Sequence, residues 1–165
     1  MKIISCDQRH VAEIRNIFNE AILNSTAVYD YEPRSLETVE AWVEAKTTDG
    51  FPIIGLESDA GELTGFASYG AFRPWPAYQH SIEHSVYVDA RFRCQGVGSK
   101  LLTQLISTAT DQGYHMMIGG IDSENIASIS LHQRHGFTQC AGIREAGFKF
   151  GRWLDLHFYQ LILSR

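Results

Sequence analysis

RFRCQGVGSKLL, residues 91–102, sets two glycines one residue apart, behind a pair of arginines and ahead of an apolar run. Upstream, HSIEHSVYVDA at 80–90 is rich in β-branched and aromatic residues and reads as a strand. Downstream, Leu101, Leu102, Leu105, Ile106 and Ala109 form one helical stripe that Gly113 closes. A strand, a glycine loop and a helix are therefore consecutive. A helix N-terminus presents unpaired amides and a partial positive charge, and glycine lets an anion approach them with no Cβ in the way. Phosphate binding is the functional reading of such a loop, and a plain strand-to-helix turn is the other. The GxxxxGK[ST] spacing of a P-loop is absent, and GVG lacks the third glycine of a dinucleotide fingerprint and comes after several strands.

The rest of the chain extends this unit. Residues 2–6 read as a strand, then a helix with Val11, Ile14, Ile17, Phe18, Ala21 and Ile22 on one face and Asp7 as its cap. Ser35 caps a second helix with Leu36, Val39, Trp42 and Val43 on one side, ended by Gly50 and Pro52. IIGLES at 53–58 and LTGFASYGAF at 63–72 flank an Asp59-Ala60-Gly61 turn and form a hairpin. MMIGGI is a further strand, IASISLHQRH a short helix ended by Gly136, and FTQCAGIREAGFKF and DLHFYQLIL two closing strands. The order is β-α-α-β-β-β-α-β-α-β-β, an α/β (α+β) chain with a mixed central sheet flanked by helices.

Composition narrows the function. At 165 residues and 44% hydrophobic content the chain is the size of one domain, 1–165, with enough apolar material for a core, and neither a repeat nor a linker argues for a second. The net charge is -5 and the 14 Lys and Arg are scattered, which argues against a nucleic-acid partner. Cys6, Cys94 and Cys140 are odd in number with no CxxC spacing, and MKIISCDQRH holds no apolar signal core, so a reduced cytoplasmic protein is expected. No apolar run approaches the roughly 20 residues that span a bilayer, so no membrane association is expected. HSIEH at 80–84 spells the HxxEH zinc pattern, but on a strand residues four apart stand roughly 13 Å from each other at about 3.3 Å per residue, too far to share one ion. No metal is expected.

Arg93, Gly96 and Gly98 fit (Q/R)xxGx(G/A), and the stretch resembles the signature loop of the GNAT superfamily of N-acetyltransferases. Asn125, Ser128, Leu131, Gly136 and Phe137 are similar to that family's N-x-x-(A/S)-x-x-(L/F)-Y-x-x-x-G-F helix, with His132 in place of the tyrosine. EHSVYVDARFRCQGVGSKLL, NIASISLHQRHGF and AGFKFGRWLD, taken in order, resemble the phosphinothricin and methionine sulfoximine acetyltransferase subgroup. That resemblance covers most of the second half of the chain.

The resemblance implies acetyl-CoA as co-substrate. Its pyrophosphate would lie on Arg93, Cys94, Gln95, Gly96, Val97, Gly98 and Ser99, its pantetheine arm along the backbone of Val86, Tyr87 and Val88, and Asn125 would reach it through the side-chain amide. Attack on a thioester needs a neutral amine, and an amino group is largely protonated at pH 7, so a base is required. Glu83 stands where the subgroup has a glutamate, and His132 where the family has the acid for the departing thiolate. Arg73, Pro74 and Trp75, with Glu83, His84 and Ser85, would hold a small amino-acid-like acceptor: arginine grips a carboxylate and tryptophan supplies an apolar wall. Phe148, Lys149 and Trp153 would help close the pocket, and a homodimer is implied. Two rivals stay open, an enzyme of the same fold acting on protein N-termini, lysines or polyamines, and a non-catalytic acyl-CoA-binding sensor.

Overall fold

The computed structural model describes residues 1–163. It contains β1 (Lys2–Ser5), α1 (Val11–Asn24), α2 (Leu36–Thr48), β2 (Ile53–Glu57), β3 (Leu63–Ala71), β4 (Ser81–Val88), α3 (Val97–Asp111), β5 (Met116–Asp122), α4 (Ile126–Arg134), β6 (Thr138–Lys149) and β7 (Arg152–Ile162). This is the element order expected from the sequence. Ser35 caps α2 by accepting from Thr38 N at 3.2 Å. Asp7 instead caps a short 3-10 turn at Gln8–His10, because the His10 ring reaches back to its backbone amide, and α1 starts one turn later than its cap predicts.

All strands join one seven-stranded sheet in the order β1-β2-β3-β4-β5-β7-β6. Alternate residues of β3 enter different cores: Phe66 meets α1 and α2 through Phe18, Val39 and Val43, whereas Ala67 and Tyr69 meet α3 through Leu101, Leu102 and Leu105. The sheet is therefore covered on both faces. Burial of each such side chain contributes about 1.5–3 kcal/mol, enough to fix the register of a strand whose one-residue slip would swap the faces.

Two features of the sheet bear on the site. β4 and β5 are the parallel neighbours, and they pair only from Ser81 with Met116 to Glu83 with Ile118. Beyond Glu83 they part, leaving a gap inside the sheet. The second feature is the closing hairpin, whose last strand begins at Arg152 rather than Asp155. Phe150 and Gly151 form its turn with φ of 52° and 73°, the paired positive values of a tight hairpin turn, without the usual Asn-Gly cue. A bulge shifts the register between Ile143 and Gly147, with Glu145 at φ 54°, and Asp155 Oδ1 holds it by accepting from Glu145 N at 2.8 Å.

Lys149 does not close a pocket. Its side chain is buried, and its Nζ donates to the carbonyls of Ile22, Ser25 and Val28 at 2.6, 2.8 and 2.6 Å, tying the hairpin to the chain that leaves α1. Tyr31 adds a bond from its hydroxyl to Phe148 O.

Candidate active site

The gap between β4 and β5 opens into a cleft of about 900 Å³. Of the residues expected to hold the co-substrate, Val86, Tyr87, Val88, Arg93, Cys94, Gly96, Val97, Gly98, Ser99 and Asn125 line it. Gln95 does not, because its amide turns back to Arg91 O at 3.1 Å.

The glycine loop has the geometry of an anion cradle. Gly96 N-caps α3 with φ 79°, a left-handed conformation natural to glycine, and Cys94 adopts φ 60° just before it. The first helical bond runs from Lys100 N to Gly96 O, so the amides of Val97, Gly98 and Ser99 precede it at the positive end of the helix dipole. A Cβ on Gly98 would stand 3.3 Å from Leu131, closing the space between α3 and α4. Arg93 is not a free cation: it pairs with Glu20 of α1, and its Nε donates to Val88 O at 3.4 Å. These features fit a diphosphate with an extended arm.

Asn125 uses its side-chain oxygen to cap α4, accepting from Ser128 N at 3.1 Å. Its Nδ2 is the group left to reach the cleft. Sequence reasoning missed Asp122, a buried carboxylate at the end of β5. It accepts from the Thr26 hydroxyl and from Glu124 N, with Arg152 at 4.0 Å, and so ties the α1–α2 connection to the rim of the cleft. An acid directly after the apolar run MMIGGI is the signal that could have found it.

Glu83 and Arg73 face each other at 3.9 Å, both partly exposed. Burial lifts the Glu83 carboxyl above its ordinary range, and the Arg73 guanidinium pulls against that rise. Arg73 stacks on the Phe72 ring at 4.3 Å and donates to Phe72 O at 2.8 Å. Trp75 and Pro74 are exposed beside it, and Tyr78 packs edge-on against Phe72 with centroids 5.6 Å apart. Guanidinium, carboxylate and aromatic rings thus gather where β4 begins to leave β5.

Strand alternation sends His84 to the other face. His84, Ser85, Gly119 and His132 line a small cavity that adjoins the cleft at the gap. His84 Nδ1 lies 2.9 Å from Ile118 O, His132 Nδ1 lies 2.7 Å from Ser128 O, and the two Nε2 atoms meet at 2.9 Å. Burial pushes both imidazoles toward their neutral forms, and for His84 repulsion from His132 adds to this. Gly119 admits the His84 ring, since a Cβ there would stand 2.7 Å from it. Both nitrogens of His132 are therefore engaged within the protein, and neither stands free as a simple acid for the cleft.

The chain is similar to known acetyltransferases along most of its length. Residues 12–137 match the model of the acetyltransferase (GNAT) family. An L-methionine sulfoximine/L-methionine sulfone acetyltransferase of Pseudomonas paraeruginosa is 45% identical over 148 residues, covering 90% of this chain and 86% of that protein. An L-amino acid N-acyltransferase of Escherichia coli is 43% identical over 153 residues, covering 93% and 88%. A phosphinothricin acetyltransferase of Sinorhizobium meliloti, solved in complex with acetyl-CoA, superposes with a TM-score of 0.96 at 31% identity, covering 99% of this chain and 88% of that one.

Proposed function

Because the chain belongs to the GNAT family of acetyltransferases, we propose that it moves the acetyl group of acetyl-CoA onto the α-amino group of a small amino-acid-like compound of the methionine sulfoximine, methionine sulfone or phosphinothricin type. The observation that carries this reading is the anion cradle at the N-terminus of α3 on the cleft, together with Glu83 and Arg73, 3.9 Å apart, at the point where β4 stops pairing with β5. Two of the three relatives are named for such compounds and the third for L-amino acids.

Each part of the site takes one task. The first-turn amides of α3 hold the diphosphate, and the unpaired edges of β4 and β5 hold the arm and direct the thioester into the gap. A backbone N–H in the Val86–Val88 stretch meets the charge that grows on the thioester oxygen as the amine attacks. Glu83, with its raised proton affinity, takes a proton from the amine; Arg73 binds the acceptor's carboxylate, so acceptor and base are held together. His132 borders the cleft, and with both nitrogens engaged it returns a proton to the leaving sulfur only through a relay. A polyamine site would want acidic side chains where this loop offers Arg73, which disfavours that rival.

The test is a thiol-release assay of acetyl-CoA against amino acids, their sulfone and sulfoximine analogues, polyamines and peptides. Turnover with the analogues is expected; turnover confined to peptides would sink the reading. Arg73→Ala should raise the KM for the amino acid about 10- to 100-fold, the worth of a charged hydrogen-bonded pair, with the KM for acetyl-CoA little changed. Gly96→Ala should act on the other substrate. A left-handed alanine costs about 1–2 kcal/mol, so the KM for acetyl-CoA should rise roughly 5- to 30-fold if the loop relaxes instead, and an unchanged KM would refute the cradle.

The assembly in this reading is a cytoplasmic homodimer. Among the described residues no helix is long and apolar enough to cross a membrane. β6 ends the sheet with nearly all its residues exposed, and Ile143, Phe148 and Trp153 present apolar surface along that hairpin. Light scattering on the purified protein gives the answer directly.

A further inference from the structure

We propose that His84 and His132 form a single proton-holding unit, with three protons shared over their four ring nitrogens, and that His84 is the positioning residue that makes His132 an acid. The role in catalysis rests on the acetyl-transfer reading; the proton count does not.

The pair makes three close polar contacts: His84 Nδ1 to Ile118 O at 2.9 Å, Nε2 to Nε2 at 2.9 Å, and His132 Nδ1 to Ser128 O at 2.7 Å. Each outer contact ends on a carbonyl, which only accepts, so each Nδ1 must carry a hydrogen. A neutral imidazole has one hydrogen, so two neutral rings satisfy the outer contacts and leave two lone pairs facing each other between the Nε2 atoms. A third proton between the rings resolves this. It gives a singly charged pair that titrates as a unit rather than as two separate histidines.

The surroundings work against charge on the pair. The rings are 7% and 5% exposed, and burial and mutual repulsion favour their neutral forms, so the third proton is held there only by the lone-pair conflict at the Nε2–Nε2 contact, which a fourth proton would not relieve further. The titratable groups around the pair are few. Asp122 and Tyr29 line the same small cavity, His135 repels charge on His132, and Glu83 lies on the opposite face of β4. Phe137 packs against both rings, with centroids 5.2 Å from each.

Both rings line the inner cavity, and of the two only His132 also reaches the large cleft. Ser128 Oγ lies 3.4 Å from His132 Nδ1 and borders the cleft. As the amine nitrogen bonds to the acetyl carbon and the carbon–sulfur bond breaks, His132 gives the Nδ1 proton toward the sulfur through Ser128 Oγ, and the shared Nε2 proton settles on His132. The pair falls from three protons to two and regains one from solvent. The acceptor ammonium loses two protons, one through Glu83 before attack and one from the nitrogen as the amide forms; both leave to solvent, one is regained by the pair, and the cycle releases one net proton.

The test begins with the protein alone. Long-range 1H–15N spectra of histidine-labelled wild type at pH 7 should show hydrogen on both Nδ1 atoms and partial protonation of both Nε2 atoms. Two neutral rings at pH 7, one of them an Nε2–H tautomer, would overturn the proposal without any reference to catalysis. His84→Asn and His84→Gln should each lower kcat about 10-fold, leave the KM for acetyl-CoA within about twofold, and move the alkaline limb of kcat to lower pH, because His132 alone loses its charge sooner. If folded variants keep the wild-type kcat and pH profile, His84 has no positioning role. A three-proton pair in a protein that acetylates no amino acid supports the pair and removes the functional reading alone.

Discussion

Replacing Glu83 with glutamine lowers kcat by about 10²- to 10⁴-fold, the usual worth of a positioned base. Affinity for acetyl-CoA stays within about twofold, since the loss falls on the chemical step rather than on binding of the donor. The glutamine keeps the size and hydrogen-bonding reach of the side chain and removes only its proton acceptor. Glu83 lies next to the break in β4–β5 pairing, opposite Gly70 on β3 and Ile118 on β5. Its pH dependence has a definite sign. The base acts when deprotonated, so kcat/KM rises with pH through the folded-state pKa, and burial places that rise above the ordinary carboxylate range. Arg73→Ala removes the charge that opposes burial and moves the acid limb higher still. Glu83→Gln abolishes the limb. A glutamine variant with wild-type kcat, measured by thiol release across pH, would remove Glu83 from the mechanism.

The second large effect is on stability. Lys149→Met should destabilise the fold by about 3–5 kcal/mol, because it takes the donor from three carbonyls, two of them in buried contacts and one half-buried. In a chain of this size that lowers Tm by roughly 10 °C. The methyl thioether fills much of the same volume, so the loss reports the ammonium and not a cavity. The carbonyls come from the end of α1 and the turn after it, which carries Thr26 and Ala27 to the cleft. Turnover below the melting range should therefore fall as well. Calorimetry that finds Tm within a degree or two of wild type would show the three bonds to be replaceable by water.

The sequence revealed some parts of this molecule and concealed others, for identifiable reasons. Helical periodicity announced α1 and α3, whose apolar stripes are the buried faces observed. The loop from Arg93 to Ser99 was legible because glycine at a left-handed position leaves a visible mark in a sequence. Side-chain partners across the fold leave none. Lys149 and the three carbonyls it serves are more than 120 residues apart, and no local pattern separates a pocket-closing lysine from a buried clamp. His84 and His132 lie 48 residues apart, and their contact depends on where β4 and β5 part, a property of pairing register rather than of either segment. The strand reading of HSIEH matches β4 from Ser81 onward, yet nothing in that segment showed that His84 has its partner on α4.

The three-residue seam between β4 and β5 has one more consequence. Sheets usually keep unpaired strand edges at their margins, where passing chains can add to them and start aggregates. Here two such edges face each other indoors, screened by strands on either side. A guest thin enough to slip between them, with amide groups spaced along it, completes the missing rungs without any native rung being broken. The protein thus keeps the recognition power of an open edge and leaves the hazard of stray pairing to the two outer strands, β1 and β6.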